Sequence, residues 1–254
     1  MKNNIASKTK STILVSSGIL LIFFFGSCNH FFYAPTVHHA ALLEKKNEIV
    51  VNAGIGSADQ TNFANVNLAY GIGNKVGIYG QYYSAKHNNK DNPLGNGNYM
   101  DLGLGYFGAF KASKWRYEAI AGFGGGNVHN AYDSGSYINN KFIKPYIQGN
   151  IGYRSKYFTF AFCLRGAYVS QTEVTEYKNS KYSSIPIFDA LNDNRTHIAI
   201  EPGIYISGGT SNIKLQLGLG QSSLLNIGKS KTAYPYQKSF VSLGIRINFT
   251  AAKN

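Results

Sequence analysis

The chain offers little from which to build a cross-linked, helical or nucleotide-binding protein. Of its 254 residues only two are cysteine, Cys28 and Cys163. Cys163 falls in the middle of a strand-like segment and Cys28 follows a leader, which argues against a disulfide framework. No helical period lasts beyond two turns except over residues 40–46, which reads as the end of a tether. Gly103, Gly105 and Gly108 spell the dinucleotide fingerprint, but that string lies inside a strand pattern with no helix to follow, so no nucleotide cofactor is implied. Residues 122–126 are glycine-rich yet lack the Lys-Ser or Lys-Thr of a phosphate loop. His38 and His39 are adjacent without a second cluster of ligands, and read as an exposed pair, not a metal site. Charged residues are only 15% of the chain, with 25 Lys and Arg against 12 Asp and Glu. A basic balance can signal nucleic acid. Here the lysines fall mainly in turns and loops of a chain with an export leader, which points away from nucleic acid and towards anionic surface material.

The leader occupies residues 1–27. Lys2, Lys8 and Lys10 precede an apolar run over 13–25, too short to span a membrane as a helix but right for a signal-peptide core. Small residues Gly26 and Ser27 stand before Cys28, a pattern that resembles the lipobox of bacterial lipoproteins, in which the cysteine becomes the lipid-modified first residue, with acyl chains such as palmitate. Phe25 departs from the Leu or Val usual in that motif. Losing the three leader lysines takes the net charge from +13 to +10. Residues 28–47 read as a periplasmic tether and 48–254 as a barrel.

What the chain has in abundance is alternation. Over 142–153, Ile143, Pro145, Ile147, Gly149, Ile151 and Tyr153 share one parity, with Lys144, Tyr146, Gln148 and Asn150 on the other. Over 157–168, Phe158, Phe160, Phe162 and Leu164 alternate with Thr159, Ala161, Cys163 and Arg165. Period-two alternation is the mark of a strand with one apolar face. Ten such segments follow residue 48, at approximately 48–56, 62–72, 76–85, 98–110, 115–126, 141–153, 157–170, 196–207, 212–222 and 237–249. Most have the length that a tilted strand needs to cross a bilayer, about 9–11 residues. After the first loop, the connections run short, long, short, long. The long ones are 86–97, 127–140, 171–195 and 223–236. In an up-and-down meander this puts all short turns at one end and all long loops at the other, as in outer-membrane barrels with short periplasmic turns. The expected fold is therefore an all-β, transmembrane, antiparallel up-and-down barrel of ten strands in the bacterial outer membrane, with long loops outside and both termini periplasmic.

The two faces of the strands divide the chemistry. The apolar parity carries no charge, as lipid exposure requires. Aromatics on that face gather near strand ends: Tyr70, Phe110, Trp115, Tyr117, Tyr153 and Phe249 at one end, Tyr82, Phe123 and Tyr168 at the other. The opposite parity carries Glu48, Asp101, Arg116, Glu118, Lys144, Arg165, Glu201, Lys214 and Arg246. Four acids facing five bases in a narrow interior predict a salt-bridge network that plugs the lumen, with Glu48 and Arg246 paired across the seam between the first and last strands. The alternatives are a narrow passive channel, a soluble lipocalin-like barrel, and a rim hydrolase built from Asp101, Asp193, His129 and His197.

The chain resembles small outer-membrane β-barrel proteins of Bacteroidota, some of which begin with a lipoprotein cysteine. Cys28, the run Tyr33-Ala34-Pro35, the segment 43–48 leading into the first strand and the closing segment 241–249 carry the likeness. It implies location more than activity. The expected partners are outer-membrane lipids, lipopolysaccharide and a membrane protein, on a monomeric chain without metal or cofactor. Residues 29–32 lack the acidic residues found after the cysteine of surface-exported lipoproteins in that group, so the lipid is expected on the periplasmic side.

Overall fold

A computed structural model describes residues 31–59, 61–87, 95–111, 113–132, 135–178, 186–227 and 236–250. The alternating segments form β1 (Glu48–Ala58), β2 (Thr61–Gly71), β3 (Val76–His87), β4 (Asn96–Ala109), β5 (Trp115–Ala131), β6 (Tyr137–Arg154), β7 (Phe158–Tyr177), β8 (Thr196–Gly209) and β9 (Ile213–Gln221). A short β10 (Ser223–Asn226) and the closing β11 (Ser239–Thr250) follow. Each strand from β1 to β8 pairs antiparallel with its successor. β11 pairs with β9 on one side and β1 on the other, with Ile49 opposite Phe249 and Gly54 opposite Gly244. The result is a closed antiparallel barrel of ten wall strands; β10 is an extra piece that continues the β8 ladder where β9 leaves it.

The wall is apolar outside and polar inside, the reverse of a soluble lipocalin-like barrel. Ile55, Leu102, Ile147 and Leu215 are each 65% to 70% exposed on the outer face. On the same strands Asp101, Gln148, Lys144 and Lys214 are buried inside. Outward-pointing charges occur at Lys86, Lys141 and Glu173, near the long-loop end and beyond the apolar band. Trp115 packs edge-on against Tyr153 at 6.0 Å, and Phe110 against Tyr117 at 5.0 Å, forming the aromatic rim at the short-turn end. Amphipathic rings of this kind settle at the level where lipid meets water.

The connections differ from the sequence reading in one respect. Much of the expected loop 127–140 and the start of 171–195 are strand: β5 continues to Ala131, β6 begins at Tyr137 and β7 runs on to Tyr177. Their alternation persists beyond the apolar band with polar residues facing out, so hydropathy marked the edge of the membrane and not the end of the strands. The second of those loops also contains a short helix, α1 (Pro186–Asp193).

Candidate functional site in the barrel lumen

The lumen is occupied by the chain's own N-terminal segment. Residues 31–43 are buried throughout, although none lies in a helix or a strand. Phe31 exchanges hydrogen bonds with Asn130 near the long-loop end, its carbonyl accepting from Asn130 Nδ2 at 2.8 Å. At the other end the Asn47 amide donates to Gly71 O at 2.8 Å beside the first short turn. Positive φ angles at Leu42 (50°) and Asn47 (62°) turn the chain back into β1, a backbone state uncommon outside glycine. The tether expected over 28–47 therefore runs, over 31–43, inside the barrel. Its helical look over 40–46 came to nothing, and the described chain has its ends at opposite ends of the barrel: Phe31 by the long loops, Thr250 beside Glu48 at the short turns.

Inward-facing glycines make room for this passage. A Cβ on Gly203 would stand 2.7 Å from the His38 ring, and one on Gly152 would stand 2.5 Å from Leu42 Cδ1. Both are far inside contact distance. A void beside Phe31, Ala34, Thr36 and Tyr83 holds only about 10 Å³, at or below what one water needs.

Two charge clusters grip the segment. Towards the long-loop end, Glu201 is the hub: it accepts from Arg165 Nε at 2.5 Å and from Lys144 Nζ at 3.2 Å, and the Tyr33 hydroxyl donates to it. Arg165 also donates to Thr36 O at 2.6 Å. Lys144 lies over the rings of Tyr33 (5.0 Å) and Tyr99 (5.3 Å), where a cation meets the negative face of the π system. His38, one residue of the pair expected to be exposed, is fully enclosed, with Nε2 at 2.8 Å from Glu201 O and Nδ1 at 2.9 Å from the Tyr205 hydroxyl. Its neighbour His39 is equally buried, with Nε2 at 2.7 Å from Asp101 Oδ1, to which the Tyr146 hydroxyl also donates. No group of three or more metal-ligating side chains occurs among the described residues.

Towards the short turns the pattern is different, because wall side chains hold the segment's backbone. Arg246 donates to the carbonyls of Ala40 (2.7 Å) and Ala41, Arg154 donates to Leu42 O at 2.6 Å, and Glu118 accepts from the Leu43 amide at 2.9 Å. Buried carbonyls and amides without strand partners need such donors and acceptors. Glu48 pairs with Arg154 and accepts from the Glu44 amide at 2.7 Å. The seam between β1 and β11 is thus as expected, but the Glu48–Arg246 pair is not: Arg246 lies opposite Asn52, four residues along β1 from Glu48, and each charge has another partner, Arg154 for Glu48 and the Ala40 and Ala41 carbonyls for Arg246. Arg116 sits at the mouth, paired with Glu44 at 3.0 Å. Lys214 bonds to Ser155 O (2.9 Å) and Thr159 Oγ1 (3.0 Å) instead of an acid.

The residues weighed for a rim hydrolase do not form a rim site. Asp101 lies in the lumen on β4 against His39; His129 on β5 pairs with Asn139 at 2.6 Å; His197 is buried on β8; Asp193 ends α1. Sequence reasoning missed Tyr33, Thr36, His38, His39, Arg154 and Tyr205. One signal was available for the segment: from Asn29 to Leu43 there is no Asp, Glu, Lys or Arg, which does not suit a solvated tether.

No protein-family model and no curated protein matches this chain. Among solved structures it is similar to the N-terminal β-barrel domain of Pseudomonas aeruginosa OprF, with 11% identity, 80% of this chain and 98% of that one covered, and a TM-score of 0.36. It is also similar to the translocator domain of the autotransporter NalP from Neisseria meningitidis, with 10% identity, coverages of 79% and 87%, and a TM-score of 0.40. For the KdgM porin the figures are 12%, 80%, 99% and 0.35. These likenesses are of barrel form alone and bring nothing else across.

Proposed function

We propose that the protein is a non-enzymatic outer-membrane barrel, tethered by lipid at Cys28, whose lumen is closed by its own N-terminal segment and whose long loops contact surface glycolipid or a partner protein. The closed lumen is the centre of this reading, and one observation carries it: residues 31–43 are held along the length of the interior by Glu201, Arg165, Asp101, Arg246 and Arg154. A segment fixed by charge-assisted hydrogen bonds along the interior obstructs the path that an ion would take. The apolar outer band supports a membrane-spanning role, since a soluble barrel would not expose Leu102, Ile147 and Leu215 together.

Planar-bilayer recording tests the closure. The full chain should show no steady conductance, and replacing the anchors Tyr33, His38 and His39 with Ala should produce flickering steps as the segment loosens. A steady ohmic conductance in the full chain would favour the narrow-channel reading instead. For the loops, exposed Lys86 and Lys238 at the long-loop end suit an anionic glycolipid. Binding to lipopolysaccharide should weaken with salt and with removal of the lipid's phosphates.

A further inference from the structure

We infer that a lipid on Cys28 enters the leaflet on the long-loop side, opposite the short turns and opposite the end where β1 begins. On the orientation proposed above, on which this inference rests for its naming of sides, that is the outer leaflet. The argument starts from Phe31, whose backbone is bonded to Asn130 and whose ring packs by Gly95 and Gly97. Those positions belong to the wall beyond the apolar band, where Asn96, Asn98 and Asn127 face outward and Lys141 pairs with Glu173 at 2.7 Å. Cys28 precedes Phe31 by three residues, a separation that cannot stretch beyond about 11 Å. The hydrocarbon core is about 30 Å thick. Cys28 therefore cannot regain the short-turn side by passing outside the wall, and the lumen route is already filled by residues 31–43. Acyl chains extend from the cysteine and insert where they first meet hydrocarbon, over the rim on the long-loop side. The device differs from the expected periplasmic tether: the protein carries its own N-terminus across the membrane, inside its barrel, and leaves the lipid on the far side.

The test uses the full chain with single added cysteines and an impermeant maleimide on intact cells, with parallel metabolic labelling by an acyl-chain probe. Cys163 is buried, and the parent chain serves as the blank. Acyl label should be incorporated and lost in Cys28→Ser. His30→Cys should label to the same extent as Ser180→Cys in the long-loop region, with Ser155→Cys in a short turn remaining at background. If His30→Cys follows Ser155→Cys, on either side, the inference is overturned whatever the orientation. If His30→Cys and Ser180→Cys are both protected and Ser155→Cys labels, the threading stands but the proposed orientation falls. Absence of acyl label overturns the lipid assignment itself.

Discussion

The two faces of the same ten strands obey different rules. The outer face asks only that a side chain be apolar: Ile, Leu, Val, Phe and Met follow one another without a visible code. The inner face is specific residue by residue, because each polar group there is buried and must find a partner. Glu201 meets three named groups, and Arg246 reaches two carbonyls of the threaded segment. A membrane protein of this kind thus keeps its precise packing in the lumen and its tolerance on the lipid side, which inverts the usual plan of a soluble protein.

That contrast can be broken most forcefully at the lumen hub. Glu201→Leu leaves Arg165 and Lys144 buried without a counter-charge, and should cost about 3–5 kcal/mol, read as a lowered urea midpoint of the folded barrel in detergent. On the outer face only charge should matter. Leu104→Lys, in the apolar band, should cost about 2–4 kcal/mol in a bilayer, whereas Ser57→Lys near the strand end should fall within about 0–1 kcal/mol. Equal costs at the two positions would mean that the outer band does not face lipid. The pairing inside can be sharpened by double-mutant cycles. Glu48 and Arg154 replaced singly and together by Leu should show a coupling of about 0.5–3 kcal/mol, larger than that of Glu48 with Arg246. A stronger coupling with Arg246 would restore the pair expected from sequence and place the segment elsewhere.

The smallest effect is expected outside the membrane, at Asp59 in the β1–β2 turn. Burial raises its carboxyl above the ordinary value, while the Lys238 amide, donating at 2.9 Å, and the Lys238 charge pull it down. With the folded value raised, the folded state holds the proton more tightly, so stability declines as pH rises through the carboxylate range. Asp59→Asn keeps an acceptor for Lys238 and removes the titration. Its unfolding midpoint should stay flat where that of the parent drifts slightly downward.

The wall was legible in the sequence because alternation and connection length are local signals. Ten strands, their parity, and the inward direction of Asp101, Glu118, Lys144, Arg165, Glu201, Lys214 and Arg246 all follow from counting residues in twos. The partners were not legible. Glu48 and Arg246 face the same interior from neighbouring strands, and nothing local says that Glu48 will take Arg154 while Arg246 takes the carbonyls of Ala40 and Ala41. Residues 31–43 show no period because they belong to no sheet; their backbone groups are satisfied by wall side chains such as Gln81, Gln148 and Asn150, which bond to Val37 O and His39 O. Membership of a core without secondary structure leaves composition as its only trace.

The seam between β1 and β11 joins strands from nearly opposite ends of the chain, with the threaded segment directly ahead of the first of them. Closure of such distant partners is the slowest kind of contact to form. An open sheet can curl around residues 31–43 while its edges are still free; a finished barrel would have to pass a chain end through a packed interior. The segment is thus best placed as a mandrel on which the wall is wound, and biogenesis, more than the mature state, is where loss of Tyr33, His38 or His39 would first be felt.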